Sequence, residues 1–295
     1  MSENLVASTA HWTAAVRAKE SERANSLFND PWAAALAGEA GMAWIESRPA
    51  ESVVPIVLRT RYFDDFLQRI THQNGIRQIV LLAAGLDTRS FRLSWPEQSR
   101  CFEVDQLPVL QHKDGILQSA GAQPACRRQT VAVDLTGPWS ERLIESDFNP
   151  QQPSGWLLEG FLFYLANEHI TRLLDEVTNL AAPGSWLGFD IVNSIALTSP
   201  LTRPWIEMQA KAGTPNGQTD PGKKCCGRGG PELYLCRGAT TECSGSERQS
   251  VSENSVRVSS SSLVLVLVPR PRPRPRNSPQ NRGRRTKGED EHEAT

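Results

Sequence analysis

The chain has no hydrophobic run near the roughly 20 residues that a membrane-spanning helix needs. Its longest unbroken run is LVLVLV at 263–268. The first residues lack the basic and then apolar pattern of a secretory leader, which argues against export and predicts a cytoplasmic protein. Cysteine is sparse: six residues, at 101, 126, 225, 226, 236 and 243, form no CxxC pair and have no histidine pair at zinc spacing. They read as reduced thiols, neither a disulfide framework nor a metal knuckle. Internal repeats and collagen-like glycine periodicity are also missing. What remains, 295 residues with 39% hydrophobic content, is enough for a sizeable core.

A formal net charge of −1 conceals two different kinds of polypeptide. Residues 1–216 carry 18 basic and 24 acidic side chains, net −6, whereas 217–295 carry 14 and 9, net +5. The second part holds GKKCCGRGG, a serine-rich stretch, RPRPRPR and the acidic close GEDEHE, with neither a helical nor a strand period. Such a composition buries too little apolar area to offset about 1–2 kcal/mol of backbone entropy per ordered residue. The expectation is one folded domain over 1–215 and a low-complexity tail without fixed structure over 216–295, with LVLVLV the one stretch able to dock as a strand. A tether to nucleic acid or a membrane surface is disfavoured, because the basic tail lacks interleaved aromatics for base stacking.

The first part alternates helix-like and strand-like segments at βαβ spacing. Pro55 suits an early helix turn, after which Leu58, Tyr62, Phe66 and Ile70 recur every four residues beside Phe63 and Leu67. QIVLLAAG (78–85) reads as a strand buried on both faces. CFEVD (101–105) and TVAVDL (130–135) read as two more strands, WLLEGFLFYL (156–165) as a fourth with its exit, and SWLGFDIV (185–192) as a fifth. Between the last two, Ile170, Leu173, Leu174, Val177 and Leu180 share a helix face, with Asn167 as N-cap and Gly184 as stop. The predicted fold is α/β, a doubly wound, mostly parallel sheet with its ligand crevice at the carboxyl ends of the strands.

In such folds the acid closing the second strand accepts hydrogen bonds from ribose hydroxyls about 20 residues after the first loop. Gly85 and Asp105 have that separation, and Asp105 is nearer the strand end than Glu103. A dinucleotide would want GxGxxG so that its pyrophosphate can approach backbone N–H groups. LAAGLDT has one glycine and an acid, Asp87, where a diphosphate would be repelled. That counts against a nicotinamide oxidoreductase. A cationic ligand with an amino-acid end suits the bend better, and S-adenosyl-L-methionine has those parts.

RAKESERANSLFNDPWAA (17–34), LRTRYFDDFL (58–67), QIVLLAAGLDTRSFRL (78–93), FEVDQLPVLQHK (102–113), VAVDL (131–135) and WLLEGFLFYL stand in order over roughly residues 10–215. This set resembles the leucine carboxyl methyltransferase family, specifically its bacterial branch of S-adenosyl-L-methionine-dependent methyltransferases abundant in mycobacteria. The resemblance implies a Rossmann-like methyltransferase in which Asp105 binds the ribose, Asp134 and Leu135 hold adenine, and Ala83, Ala84 and Gly85 line the methionine moiety. It also implies that Arg61, with Arg59 as the alternative and Lys19 behind both, meets the methionine carboxylate, and that Glu159 stands beside the methyl-transfer position. Plainer roles stand beside these. Arg59 and Arg61 also fit a solvated helix face, Asp87 and Arg89 a local ion pair pinning the loop, and Glu159 an organiser of the crevice. Trp156, Phe161, Phe163 and Tyr164 fit core or crevice wall, and His11, His72, His112, His169 and His292 the surface.

The implied reaction is methylation at oxygen, of a carboxylate or a hydroxyl on a small-molecule or other carboxylate-bearing acceptor. No membrane or nucleic-acid partner is expected. A carboxylate is already ionised at pH 7, so no general base, triad or metal is required, and no catalytic side chain is nominated. The family continues past residue 215 into helices and a terminal hairpin that completes the sheet, whereas this chain departs into Cys-, Arg- and Ser-rich sequence. The sheet is therefore expected to be incomplete at that hairpin, and an inactive cofactor-binding remnant is the alternative reading.

Overall fold

The computed structural model describes residues 3–49, 53–192, 232–235 and 262–268. In chain order the elements are α1 (Glu3–Ser21), α2 (Ala33–Glu46), α3 (Val54–His72), β1 (Gln78–Leu82), α4 (Arg89–Arg92), β2 (Arg100–Asp105), α5 (Leu107–Ser119) and β3 (Arg127–Ala132). They continue with α6 (Ser140–Glu145), β4 (Ser154–Leu158), α7 (Asn167–Leu180), β5 (Trp186–Val192), β6 (Glu232–Leu235) and β7 (Ser262–Val268). A single 3₁₀ turn, Leu162–Tyr164, follows β4.

The strands form one sheet in the order β3-β2-β1-β4-β5-β7-β6. The first five run parallel; β7 pairs antiparallel with β5, and β6 antiparallel with β7. The doubly wound α/β expectation holds, and the strand order reverses between β1 and β4, where such sheets bind ligands. β7 is the LVLVLV stretch expected to be able to dock as a strand, whereas β6 lies in the part of the sequence expected to lack structure. Leu187 to Val192 of β5 are paired in register with Leu267 to Ser262 of β7, so the β5 edge is covered. The rest of the expectation for 216–295 falls outside the described residues.

Side chains alternate across the sheet. Val80, Leu82, Phe102, Val104, Trp156 and Leu158 face one core with Trp139, Phe148 and the apolar stripe of α7. Ile79, Leu81, Cys101 and Leu157 face another with Phe63, Phe66, Leu67 and Ile70 of α3. The stripe of α3 therefore runs through Phe63, Phe66 and Leu67, and Leu58, expected on the inner face, is 41% exposed. A third cluster joins α1 and α2 to α5. Asn167 is the first helical residue of α7 after Ala166, and its side chain makes no capping bond. Gly184, with φ 87°, supplies the left-handed turn into β5.

Register positions everything that follows. Leu82 pairs with Val104 and Leu158, Asp105 with Ala132, and Leu158 with Phe189. The first four parallel strands thus end within a residue of one another, β5 runs three residues further to Val192, and the residues just beyond the ends of the first four share one edge. β3 spans Arg127–Ala132, three residues earlier than the expected TVAVDL strand, so Asp134 and Leu135 lie in the turn after it.

Candidate functional site

β1 ends because Ala83 and Gly85 both adopt left-handed backbone, with φ 53° and 48°. Glycine takes that conformation freely and alanine at a cost, a kind of strain that clusters at ligand sites. The bend is anchored from the neighbouring strand. Gly85 N–H donates to Asp105 Oδ2 at 2.7 Å, Gln106 N–H donates to Asp105 Oδ1 at 2.7 Å, and Ala84 N–H donates to the Val104 carbonyl at 3.2 Å. Burial raises the Asp105 carboxyl above its ordinary pKa, and the two backbone bonds oppose that rise without cancelling it. Glu103 is buried completely two residues earlier, where it meets Lys113 and Arg128 at 2.7 Å each and accepts a short hydrogen bond from Ser90. Of the two acids in β2, Asp105 is the one at the strand end.

Past β3, Asp134 is exposed. Its Oδ1 accepts from Thr136 N–H at 2.8 Å and from Thr136 Oγ1 at 2.7 Å, bonds that lower its pKa. No protein donor reaches Oδ2 among the described residues, so that oxygen is available to a ligand amine. The Leu135 side chain is buried in the core.

Past β4, Glu159 joins a chain of buried charges. Arg59 Nε donates to Glu159 Oε1 at 2.9 Å, and Arg59 Nη1 donates to Asp190 Oδ2 at 3.0 Å. Gly160 N–H donates to Asp190 Oδ1 at 2.6 Å. Arg89 Nη1 lies 2.7 Å from Glu159 Oε2, Arg89 Nε donates to Asp64 Oδ1 at 2.7 Å, and Arg89 Nη1 makes a short bond to Asp87. Arg92 grips both oxygens of Asp64 at 2.7 Å and stands 3.8 Å from Asp30, which pairs with Arg17 at 2.8 Å. Four carboxylates thus alternate with four guanidiniums from Asp190 to Arg17, and a fifth carboxylate, Asp87, branches from Arg89. Burial alone would raise Glu159, but Arg89 and then Arg59 outweigh it and hold the group below its usual range. Isolated buried charges would cost several kcal/mol each, so pairing at this density is what allows them to exist here.

This network also ties the amino-terminal segment to the bend. Arg17 of α1 donates to the Leu86 carbonyl at 2.7 Å, and Thr88 Oγ1 donates to Asp30 Oδ2 at 2.6 Å.

Six expected residues, Ala83, Ala84, Gly85, Asp105, Asp134 and Glu159, and the backbone of Leu135 meet along the carboxyl edge of the sheet. Arg61 stands apart. It is 46% exposed, paired with Asp65 one turn along α3, and donates to the Leu27 carbonyl at 2.5 Å. Lys19 is likewise an exposed partner of Glu22. Arg59, the alternative, is the arginine bound to Glu159. The Asp87–Arg89 ion pair is present as expected, but it changes the argument built on Asp87. That acid turns inward to Arg89, so the preference for a cation rests instead on the excess of carboxylates in the whole network. His72, His112 and His169 are exposed, as expected, with the His72 ring 3.1 Å from the Ser94 carbonyl, whereas His11 is half-buried with its ring 2.9 Å from the Leu36 carbonyl.

Sequence reasoning missed Asp30, Asp64, Arg92 and Asp190. A signal was present at Asp190: an acid inside the apolar strand WLGFDIV needs a buried cation, and none is nearby in sequence.

The family model described as leucine carboxyl methyltransferase matches residues 10–178. A candidate S-adenosyl-L-methionine-dependent methyltransferase of Parafrankia sp. (strain EAN1pec) is 42% identical over 201 residues, covering 65% of this chain and 64% of that protein. One from Mycobacterium tuberculosis is 38% identical over 224 residues, covering 70% and 71%. The chain thus spans just under two thirds of the length of the first relative and somewhat more of the second. Among solved structures, a candidate methyltransferase from Thermobifida fusca superimposes with a TM-score of 0.57 at 15% identity, over 88% of this chain and 94% of that one. A DUF574 family protein from Streptomyces avermitilis gives the same score and identity over 88% and 97%. These two likenesses show the fold, and the matched residues include every segment that builds the edge except β5. The chain belongs to the leucine carboxyl methyltransferase family.

Proposed function

We propose that this protein binds S-adenosyl-L-methionine along the carboxyl edge of β1, β2, β3 and β4 and transfers its methyl group to an oxygen of an acceptor, a carboxylate or a hydroxyl. The observation that carries the reading is the Asp105 carboxylate bonded to Gly85 N–H. It brings the acid of β2 and the small-residue bend of β1 together in one recognition surface, as a nucleoside with an attached amino acid requires. The names of the relatives support the same donor.

The residues present fit that ligand. Each Asp105 oxygen already bonds one backbone N–H and keeps lone-pair capacity for the ribose hydroxyls. The second oxygen of Asp134 suits the adenine amine. Ala83, Ala84 and Gly85 leave the backbone open to close approach by the methionine chain. Arg61 is engaged by Asp65 and Leu27, so we assign the methionine carboxylate to Arg59, whose Nη2 carries no protein hydrogen bond among the described residues. Glu159 offers an acceptor for the ammonium. When bound, the sulfonium supplies an activated methyl group.

A carboxylate acceptor, with a pKa of about 4, needs no proton removed at neutral pH. The protein's contribution is then to hold the acceptor oxygen, methyl carbon and sulfur in line, which contributes on the order of 7–11 kcal/mol in favourable cases. A hydroxyl acceptor would need a base, and Glu159 is poorly suited because two guanidiniums stabilise its ionised form and draw on its basicity.

Calorimetric titration with S-adenosylhomocysteine should show one site per chain, and no heat at millimolar ligand with a folded sample would reject the proposal. Transfer of a tritiated methyl group to carboxylate-bearing and hydroxyl-bearing acceptors then separates a working enzyme from a protein that only binds the donor.

A further inference from the structure

Arg59 donates through Nε to Glu159 and through Nη1 to Asp190, and the two acids come from neighbouring strands, β4 and β5. Glu159 is shared with Arg89. Among the described residues Asp190 has no second cation: its other oxygen accepts the Gly160 N–H at 2.6 Å. Its side chain is 2% exposed, against 13% for Arg59. Gly160 has φ 70°, and a Cβ built on it would stand 3.3 Å from Arg59 Nη2. The guanidinium is therefore held by two carboxylates, Glu159 and Asp190, and Gly160, whose N–H Asp190 fixes, leaves the space beside Nη2 unfilled because it has no Cβ. Burying a carboxylate inside an apolar strand is unfavourable unless a cation meets it, and here that cation is Arg59.

From this geometry we infer that Asp190 is a positioning residue for ligand recognition: it aims the Arg59 guanidinium, and through it sets how tightly the protein holds the amino-acid end of its nucleoside ligand. The inference rests on the proposed S-adenosyl-L-methionine site. Two contacts carry the action. The carboxylate fixes the plane of the fork by holding Nη1, which leaves Nη2 as the outward donor. It also pins the residue after Glu159, so that Glu159 and Arg59 keep a constant separation. A planar fork held this way loses little side-chain entropy when it meets a carboxylate.

The test uses two probes that share the adenosine and a neutral sulfur. S-adenosylhomocysteine carries the amino-acid end and 5′-methylthioadenosine does not. Asp190→Asn is nearly isosteric: its amide oxygen can still accept from Gly160, while its NH₂ group meets Nη1 as donor against donor. Full-length wild-type protein and D190N are titrated with both ligands. We expect D190N to lose about tenfold in affinity for S-adenosylhomocysteine, the scale of one lost charge-assisted hydrogen bond, with 5′-methylthioadenosine changed less than about twofold. R59K should show the same selective loss, and D190N/R59K should add little to either single change.

Equal losses for both ligands would reduce Asp190 to a structural role and overturn the inference. So would unchanged or tighter binding of S-adenosylhomocysteine by D190N. If the wild type binds neither ligand, the proposed site itself fails, and the two failures are thereby told apart. Should D190N unfold, Asp190→Glu serves instead: it keeps the charge but displaces it by one methylene, and a preserved preference for the amino-acid ligand in D190E would overturn the inference.

Discussion

Gly85 and Asp105, 20 residues apart in sequence, are joined by a 2.7 Å hydrogen bond from the backbone N–H of one to the carboxylate of the other. The bond exists because β1 and β2 are parallel and in register, Leu82 beside Val104, so the residues just past both ends are neighbours. The acid that holds the bend of the first strand is also the acid we propose reads the ribose. Shaping the loop and binding the ligand are then not separable by removing the side chain.

Replacing Asp105 tests that double role. Asp105→Asn keeps the shape and one acceptor oxygen, and Asp105→Ala removes both. Affinity for S-adenosylhomocysteine is expected to fall by on the order of 10- to 100-fold in either, given about 1.5–3 kcal/mol for a hydrogen bond to a charged group. Only the alanine variant should also lower the melting temperature. Undiminished binding by D105A would remove the β2 acid from the site.

Asp64 is the hub of the buried network, bonded to Arg89 once and to Arg92 twice. Asp64→Ala leaves two buried guanidiniums short of a counter-charge. The expected loss is about 3–5 kcal/mol of unfolding free energy, read from urea denaturation. A loss below about 1 kcal/mol would mean that water or another acid takes over the pairing.

Gly160→Ala places a Cβ against Arg59 and forces alanine into left-handed backbone, which costs roughly 1–2 kcal/mol. The thermal midpoint should drop modestly, and S-adenosylhomocysteine should bind more weakly while 5′-methylthioadenosine is little affected. A variant with wild-type stability and affinity would show that the guanidinium has room to move.

Removing residues 217–295 takes away β6 and β7 and leaves the β5 edge from Leu187 to Val192 without its antiparallel partner. An open apolar edge favours association between chains. The truncated protein should melt earlier than the full chain and scatter light in a concentration-dependent way. A monomer of unchanged stability would mean that β7 adds nothing to the sheet.

The acid limb of stability follows from three carboxylates. Burial by itself would raise Glu103, Asp87 and Glu159; Lys113 with Arg128, then Arg89, then Arg89 with Arg59 more than offset it, and all three sit below their ordinary values. A depressed folded pKa means that the unfolded chain binds protons first. The contribution is therefore complete above the ordinary values of 4.5 for glutamate and 3.8 for aspartate, and is lost as pH falls from there through the lower folded values. Asp105 and Asp190, both raised by burial, act the other way, and their contribution weakens as pH climbs from 3.8 through their raised values. Melts from pH 3 to pH 7 should show stability dropping on the acid side. Glu103→Gln should start lower at neutral pH and fall less steeply, and a slope equal to wild type would rule Glu103 out of the acid limb.

Local pattern was enough to read the five parallel strands, the helix from Pro55 and the acids ending FEVD and VAVD. Buried parallel strands announce themselves as short apolar runs, and an acid closing such a run has few structural reasons to be there. Two things misled. The four-residue period through Leu58 gave α3 the wrong inner edge, because periodicity marks a face to within a residue or so and packing chooses the contact line. Composition hid β6, since a strand's stability comes from the neighbour it pairs with, and that neighbour, β7, lies about 30 residues later, whereas LVLVLV of β7 was legible as a strand able to dock.

The sequence by itself determined the fold class, the places of the parallel strands to within a few residues and the kind of ligand, because hydrophobic period, chain reversals and residue chemistry are local properties. Tertiary structure decided which arginine faces the crevice. Arg59 and Arg61 are two residues apart on one helix and chemically identical, and only the packing of α3 against β4 and β5 turns one toward Glu159 and Asp190 and leaves the other with Asp65 in solvent. The same holds for the charge network. Its members come from α1, the loop after it, α3, α4, the loops after β1 and β4, and β5, and each is affordable in the interior only because folding brings a partner of opposite charge within about 3 Å, a condition no single segment can meet on its own.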